Sequence, residues 1–192
     1  MSSLSLDGVA QAPGGADEDT SGGFTHGGWH MRYMEDELAQ KWVLASIVEA
    51  GGFLLGRRTF EIFADYWPNA PEDEQVIAEP LNTKPKYVAS RTLSDPLEWQ
   101  NSTVLQGDVA QAVAALKRED GADLHIIGST ELVQTLLEHR LVDELRLMID
   151  PVMLGGGKRI FRDDGSLRPL RLVDSEVTPT GAILATYAPA EA

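Results

Sequence analysis

The chain has 192 residues, 43% of them apolar, with 16 Lys and Arg against 30 Asp and Glu for a formal net charge of −14. This length suits one domain with its own core, and the acidic balance disfavours nucleic acid and anionic membranes as partners. The absence of cysteine removes disulfides, thiolate nucleophiles and cysteine–zinc centres. No run approaches the ~20 apolar residues of a membrane helix, and Met1-Ser2-Ser3-Leu4-Ser5-Leu6-Asp7 lacks the basic and apolar regions of a secretory signal. Cytoplasm is the plain reading.

Residues 11–29 are rich in Gly, Asp, Ser and Thr and read as a long loop, of the kind that is functional or disordered. Periodicity predicts a helix over 33–50, with Met34, Leu38, Trp42 and Ala45 on one face. Asp36 and Glu37 stand at its start, where acids suit the helix dipole or serve a substrate. An apolar strand over 52–55 runs into Gly56-Arg57-Arg58-Thr59. A helix follows from about Thr59, the candidate cap, to Ala64, and Tyr66-Trp67-Pro68 ends it.

A short acidic helix is predicted over 72–81, a strand over 86–90 before the turn Arg91-Thr92, and a brief strand at Val104-Leu105. Asp108 caps a helix over 109–118, with Gln111 completing a capping box. A strand over 123–127 leads through Gly128-Ser129-Thr130-Glu131 into a helix over 130–139. Beyond it the pattern is all-β: a strand over 145–149, a loop over 151–157, and strands near 170–173 and 182–187. The order favours a single α/β domain over the whole chain, its sheet mostly parallel and closed by an antiparallel C-terminal hairpin.

The two glycine turns share one physical property. A strand that runs into a helix start leaves unpaired N–H groups and the positive end of the helix dipole, which together receive phosphate. Gly56 permits the turn, and Arg57 and Arg58 add groups that grip a phosphate bidentately. Arg57-Arg58, Arg91 and Lys158-Arg159 form local basic islands in an acidic chain, as an anionic ligand requires. Either turn alone also occurs as plain structure, and the full G-x-G-x-x-G fingerprint is absent.

Other motifs fail on chemistry. Gly155-Gly156-Gly157-Lys158 has Val152 where a phosphate loop needs its first glycine, and Arg159 where it needs Ser or Thr. His26 and His30 are separated by Gly27-Gly28, which argues against a metal-binding helix, so no metal is assigned. No G-x-S-x-G marks a serine hydrolase.

Taken in order, Ser5-Leu6-Asp7-Gly8, Leu54-Leu55-Gly56-Arg57-Arg58-Thr59-Phe60, Val88-Ala89-Ser90-Arg91, Ile126-Ile127-Gly128-Ser129-Thr130-Glu131-Leu132 and Leu154-Gly155-Gly156-Gly157-Lys158-Arg159-Ile160-Phe161 resemble the dihydrofolate reductase-like superfamily. The similarity is greatest to the branch holding the C-terminal reductase domain of the bifunctional riboflavin biosynthesis protein. The resemblance implies a three-layer α/β fold, NADPH as cofactor and a small-molecule substrate. It matches Gly56, Arg57, Arg58 and Thr59 to the cofactor phosphates, and Ser90 and Arg91 to the adenosine 2′-phosphate. Gly128, Ser129, Thr130, Glu131 and Leu132 fall against the pyrophosphate, and Val9 and Ala10 near the nicotinamide.

Asp7 is the candidate for orienting substrate, and Asp36 or Glu37 for handling a proton. A homodimer formed through the sheet is the expected assembly. Fewer residues precede Asp7 than the family's first strand usually has, and Thr130 stands where relatives often carry glycine. Without cysteine the sequence holds no zinc-binding P-C-x-x-C of the deaminase partner found in the bifunctional protein. The reaction that follows is reduction of a ribosylamino-pyrimidine phosphate. A dihydrofolate/pterin reductase-like enzyme and a non-catalytic NADPH-binding protein are the alternatives.

Overall fold

The computed structural model describes residues 1–190. In chain order the elements are β1 (Ser2–Ser5), α1 (Glu37–Val48), β2 (Gly52–Gly56), α2 (Arg57–Tyr66), α3 (Gln75–Thr83), β3 (Lys86–Ala89), β4 (Ser102–Val104), α4 (Val109–Leu116), β5 (Leu124–Ile126), α5 (Thr130–Glu138), β6 (Leu145–Asp150), β7 (Leu170–Val177) and β8 (Ile183–Pro189). The chain divides into two compact units: Val43–Leu141, and Met1–Trp42 with the chain from Val142 onward. The first boundary falls inside α1, so no linker marks it.

The central unit is built on a parallel sheet of order β4-β3-β2-β5. Gly52 to Leu55 are all buried, the continuous apolar run of a strand covered on both faces. Phe53 and Leu55 pack with Phe60 of α2, Leu81 of α3, Val88 of β3 and Trp99. The chain leaves β2 for β3 on one side and later adds β5 on the other, so the strand order reverses at β2. Helix α2 begins at Arg57 with Gly56 as its N-cap. Thr59 therefore lies inside the first turn and is not the cap. Asp108 does cap α4, accepting the Gln111 N–H at 2.9 Å.

Lys86 is the unexpected member of this core. Its side chain is 1% exposed, and Nζ donates to the carbonyls of Leu81 (2.8 Å), Lys84 (3.0 Å) and Asn82 (3.3 Å). The ammonium also sits 4.4 Å from the Trp99 ring centroid. It closes the C-terminal end of α3 from within, where helix carbonyls lack intrahelical partners. Burial pulls its pKa down to about 8.

The other unit holds a sheet of order β1-β6-β8-β7, with β1 parallel to β6 and the remaining pairs antiparallel. Its core gathers Tyr33, Ala39, Met148, Ala182 and Leu184, joined by Met34, Leu38 and Trp42 from the predicted helix face. Helix α1 starts at Glu37, because Met31–Tyr33 is a 3-10 turn and Asp36 Oδ1 accepts the N–H groups of Leu38 and Ala39. Strand β7 is twice the length predicted. All eight of its residues are exposed, so it carries no buried apolar pattern and is defined by pairing to β8 across a bulge at Leu172/Asp174. The 11–29 loop is compact: Ala12 and Phe24 bury with Val9 against Trp29 and Leu154, and Trp29 Nε1 donates to the Gln11 carbonyl at 2.8 Å.

Candidate cofactor and substrate sites

The parallel sheet brings Gly56 and Gly128 to the same edge, because β2 and β5 pair in register from Gly52↔Leu124 to Leu54↔Ile126. The two turns are joined. Gly56 N–H donates to Ser129 Oγ at 2.9 Å, Ser129 Oγ donates to the Ile127 carbonyl at 3.0 Å, and Ser129 N–H donates to Thr59 Oγ1 at 3.2 Å. Gly128 and Ser129 are both left-handed (φ +56° and +54°). This geometry turns the chain sharply from β5 into α5, and Gly128 meets the strain at no steric cost. Neither α2 nor α5 has a side-chain cap from its N-cap residue, so both helix starts direct N–H groups without intrahelical partners toward the C-terminal edge of a parallel sheet. The reversal of strand order between β3 and β5 lies at the same place, where open α/β sheets leave a ligand crevice.

Charge is placed on this edge as well. Gly56 pairs with Ala89, so Ser90 and Arg91 leave β3 beside it. Ser90 Oγ accepts the N–H groups of Thr92 (3.1 Å) and Leu93 (2.9 Å), which fixes the turn bearing Arg91. Arg57, Arg58 and Arg91 are exposed. In the first turn of α5, Thr130 is half-buried, Glu131 faces solvent and Leu132 is buried, so Leu132 offers a ligand only its backbone.

The sheet unit of β1 holds the remaining candidates. Asp7 accepts from Ser5 Oγ (2.6 Å) and from the N–H groups of Leu154 (3.1 Å) and Gly155 (2.9 Å). These bonds, the Ser5 hydroxyl foremost, hold its pKa down at about 2. Asp7 is thus an ionised clamp on the 154–155 turn. Both backbone groups of Val9 are taken by Ser5, through Ser5 Oγ (2.9 Å) and Ser5 N–H (2.9 Å). Ala10 N–H donates to the Lys158 carbonyl at 2.8 Å. Asp36 is occupied in capping α1, while Glu37 points to solvent beside Lys41 at 3.3 Å.

Several organising residues escaped the sequence reading. Gln11 bridges two loops, with Nε2 on the carbonyls of Asp19 and Ser21 and Oε1 accepting the Lys158 N–H, all at 2.9 Å. Lys158 Nζ meets Asp19 Oδ2 at 2.6 Å. These loops wall a cleft of about 440 Å³ lined by Phe24, His26, Leu154 and Gly157 among others. His30 is buried, with Nδ1 2.7 Å from Asp150 Oδ2 and Nε2 3.1 Å from Ser3 Oγ. Burial pushes the Asp150 carboxyl up, against the lowering effect of His30. Partners 120 residues apart leave no local signature, which is why only the fold reveals them.

The fold is that of the dihydrofolate reductase-like α/β proteins. The chain belongs to the family of the RibD C-terminal domain, a reductase domain, whose model matches residues 1–184. Over 137 residues it is 33% identical to the uncharacterized protein YyaP of Bacillus subtilis (strain 168), covering 70% of this chain and 71% of that protein. It is 28% identical over 119 residues to the uncharacterized YwjB of the same organism, covering 62% of this chain and 63% of YwjB. Among solved structures, a putative riboflavin biosynthesis protein from Shewanella sp. PV-4 superposes with TM-score 0.68 at 20% identity, with all of both chains covered. A pyrimidine reductase-like protein from Corynebacterium diphtheriae gives TM-score 0.65 at 15% identity, covering all of this chain and 90% of that one. Both are likenesses of fold. No helix among the described residues is long and apolar enough to cross a membrane.

Proposed function

We propose that this chain is an NADPH-dependent oxidoreductase of a small polar substrate, of the kind that reduces 5-amino-6-(5-phosphoribosylamino)uracil in riboflavin biosynthesis. The observation that carries the reading is the joined pair of glycine turns at the strand reversal, with Arg57, Arg58 and Arg91 at the same edge. A cation at a helix start opposes the helix dipole. Two arginines opening α2 therefore run against the dipole of that helix and suit a site that receives an anion. The N–H groups of α2 and α5 suit the pyrophosphate, and the arginines suit the additional phosphate of NADPH.

The bound cofactor would supply a hydride from its reduced nicotinamide. The residues of this chain bind and orient. Asp7 fixes the 154–155 turn, and its low pKa excludes it as a proton donor near neutral pH. Of the matched backbone positions, Ala10 N–H serves the Lys158 carbonyl and Val9 serves Ser5. The same reading places the enzyme in the cytoplasm as a homodimer.

Titration of the purified chain with NADPH and NADH, read by ligand fluorescence, tests this. Micromolar NADPH binding, weaker NADH binding and loss of both preference and affinity in Arg57→Ala/Arg58→Ala are expected. A chain that binds neither nucleotide overturns the reading.

A further inference from the structure

Arg57 and Glu61 form an ion pair whose geometry is one-sided. Both carboxylate oxygens of Glu61 lie on a single nitrogen of Arg57, Nη1, at 2.9 and 2.8 Å. A guanidinium has five N–H donors in a planar fork. Glu61 engages only the Nη1 end, and the edge formed by Nε and Nη2 makes no hydrogen bond or ion pair among the described residues. That edge is the one that takes two oxygens of a phosphate in parallel.

The pair is poorly explained as a helix stabiliser. In α2 the arginine precedes the glutamate by four positions, the less favourable order, and it places the positive charge at the positive end of the dipole. Both side chains are also near half-exposed, at 47% and 44%, where such pairs contribute little.

We propose that Glu61 is a positioning residue for the cofactor site: it holds the Arg57 guanidinium so that its Nε–Nη2 edge is presented to a phosphate of NADPH. The inference rests on the cofactor reading above. Without the tether, the long arginine side chain loses rotamer freedom on binding, which weakens binding by about threefold to tenfold. The negative charge of Glu61 acts the other way, and Glu61→Gln separates that repulsion from the positioning.

The test is a double-mutant cycle on the full chain, measuring NADPH dissociation constants at 0.15 M salt. Glu61→Ala should weaken binding by about threefold to tenfold when Arg57 is present and leave it within about twofold in an Arg57→Ala background. Glu61→Gln keeps an acceptor while removing the charge, and should bind within about twofold of the parent or tighter. Circular dichroism melts of each variant exclude loss of fold as the cause. Tighter or unchanged binding in Glu61→Ala would mean that Glu61 competes with the phosphate or does nothing, and overturns the inference alone. Equal loss in both Arg57 backgrounds also overturns it. Absence of NADPH binding by the parent chain overturns the cofactor reading, and this inference with it.

Discussion

The Gly56 N–H and the Ser129 hydroxyl meet at 2.9 Å across 73 residues, so one side chain fixes the spacing of the two helix starts. The same oxygen donates to the Ile127 carbonyl at 3.0 Å. Ser129→Ala leaves a donor and an acceptor unpaired while keeping a left-handed residue of similar bulk. Loss of about 1–3 kcal/mol is expected, or a melting temperature lower by roughly 2–10 °C for a chain of this size. NADPH affinity should fall with it. A variant that melts with the parent would show that the bond between the turns contributes nothing.

Glycines in the 155–157 turn are not equivalent. Gly157 has φ +126°, and a Cβ there would lie 2.7 Å from Val9 Cγ1 and 3.0 Å from the Phe24 ring. Gly156 has ordinary backbone and open space around it. Gly157→Ala must therefore force apart the Val9–Phe24 cluster and pay backbone strain. It should destabilise by about 2 kcal/mol or more. Gly156→Ala should melt within about 1 °C of the parent. Equal effects in thermal melts of the two variants would refute the assignment of strain to Gly157.

The contrast between these sites explains what the sequence made legible. Strand β2 and the start of α5 are legible because apolar runs and glycine turns are local signals, whereas α2 starts two residues before the Thr59 that the sequence suggests. The residues that brace the sites are not legible in this way. Lys86 reads as a surface charge until its three carbonyl partners are seen, and Gln11, His30 and Asp150 act through residues distant in sequence. At the start of α1, Asp36 caps the helix and Glu37 faces solvent, contacts that follow from local sequence. The sequence pattern shows β7 at only half its length because none of its residues is buried.

One consequence concerns assembly. Register and strand alternation put Leu4, Ile149, Ile183, Tyr187, Leu172 and Val177 on one face of the β1-β6-β8-β7 sheet. Leu172 is 50% exposed and Val177 64%. A groove of about 470 Å³ on this unit is lined by Leu4, Ile149, Phe161 and Tyr187. In the proposed homodimer a second copy covers this apolar face. Leu172→Lys with Val177→Lys should halve the mass measured by light scattering while circular dichroism is retained. A parent chain that is already monomeric at micromolar concentration would refute the proposed dimer.

Lys86 supplies a prediction with the same sign as an acid-labile carboxylate, stability rising with pH, but in an alkaline window. Its folded pKa lies at about 8, below the ordinary lysine value of 10.5. Between these values the unfolded chain binds more protons, so the contribution of Lys86 to stability rises as pH increases through that window. Below pH 8 the buried ammonium is charged in both states and its desolvation opposes folding in full. Its three carbonyl partners offset part of that cost by accepting from the ammonium. Lys86→Met strands those carbonyls, and a net loss of about 1–2 kcal/mol is expected at pH 7. The gap between parent and variant should then widen from pH 8 to 10, measured by urea unfolding. A gap that stays constant or narrows would show that the amine does not titrate as a buried base.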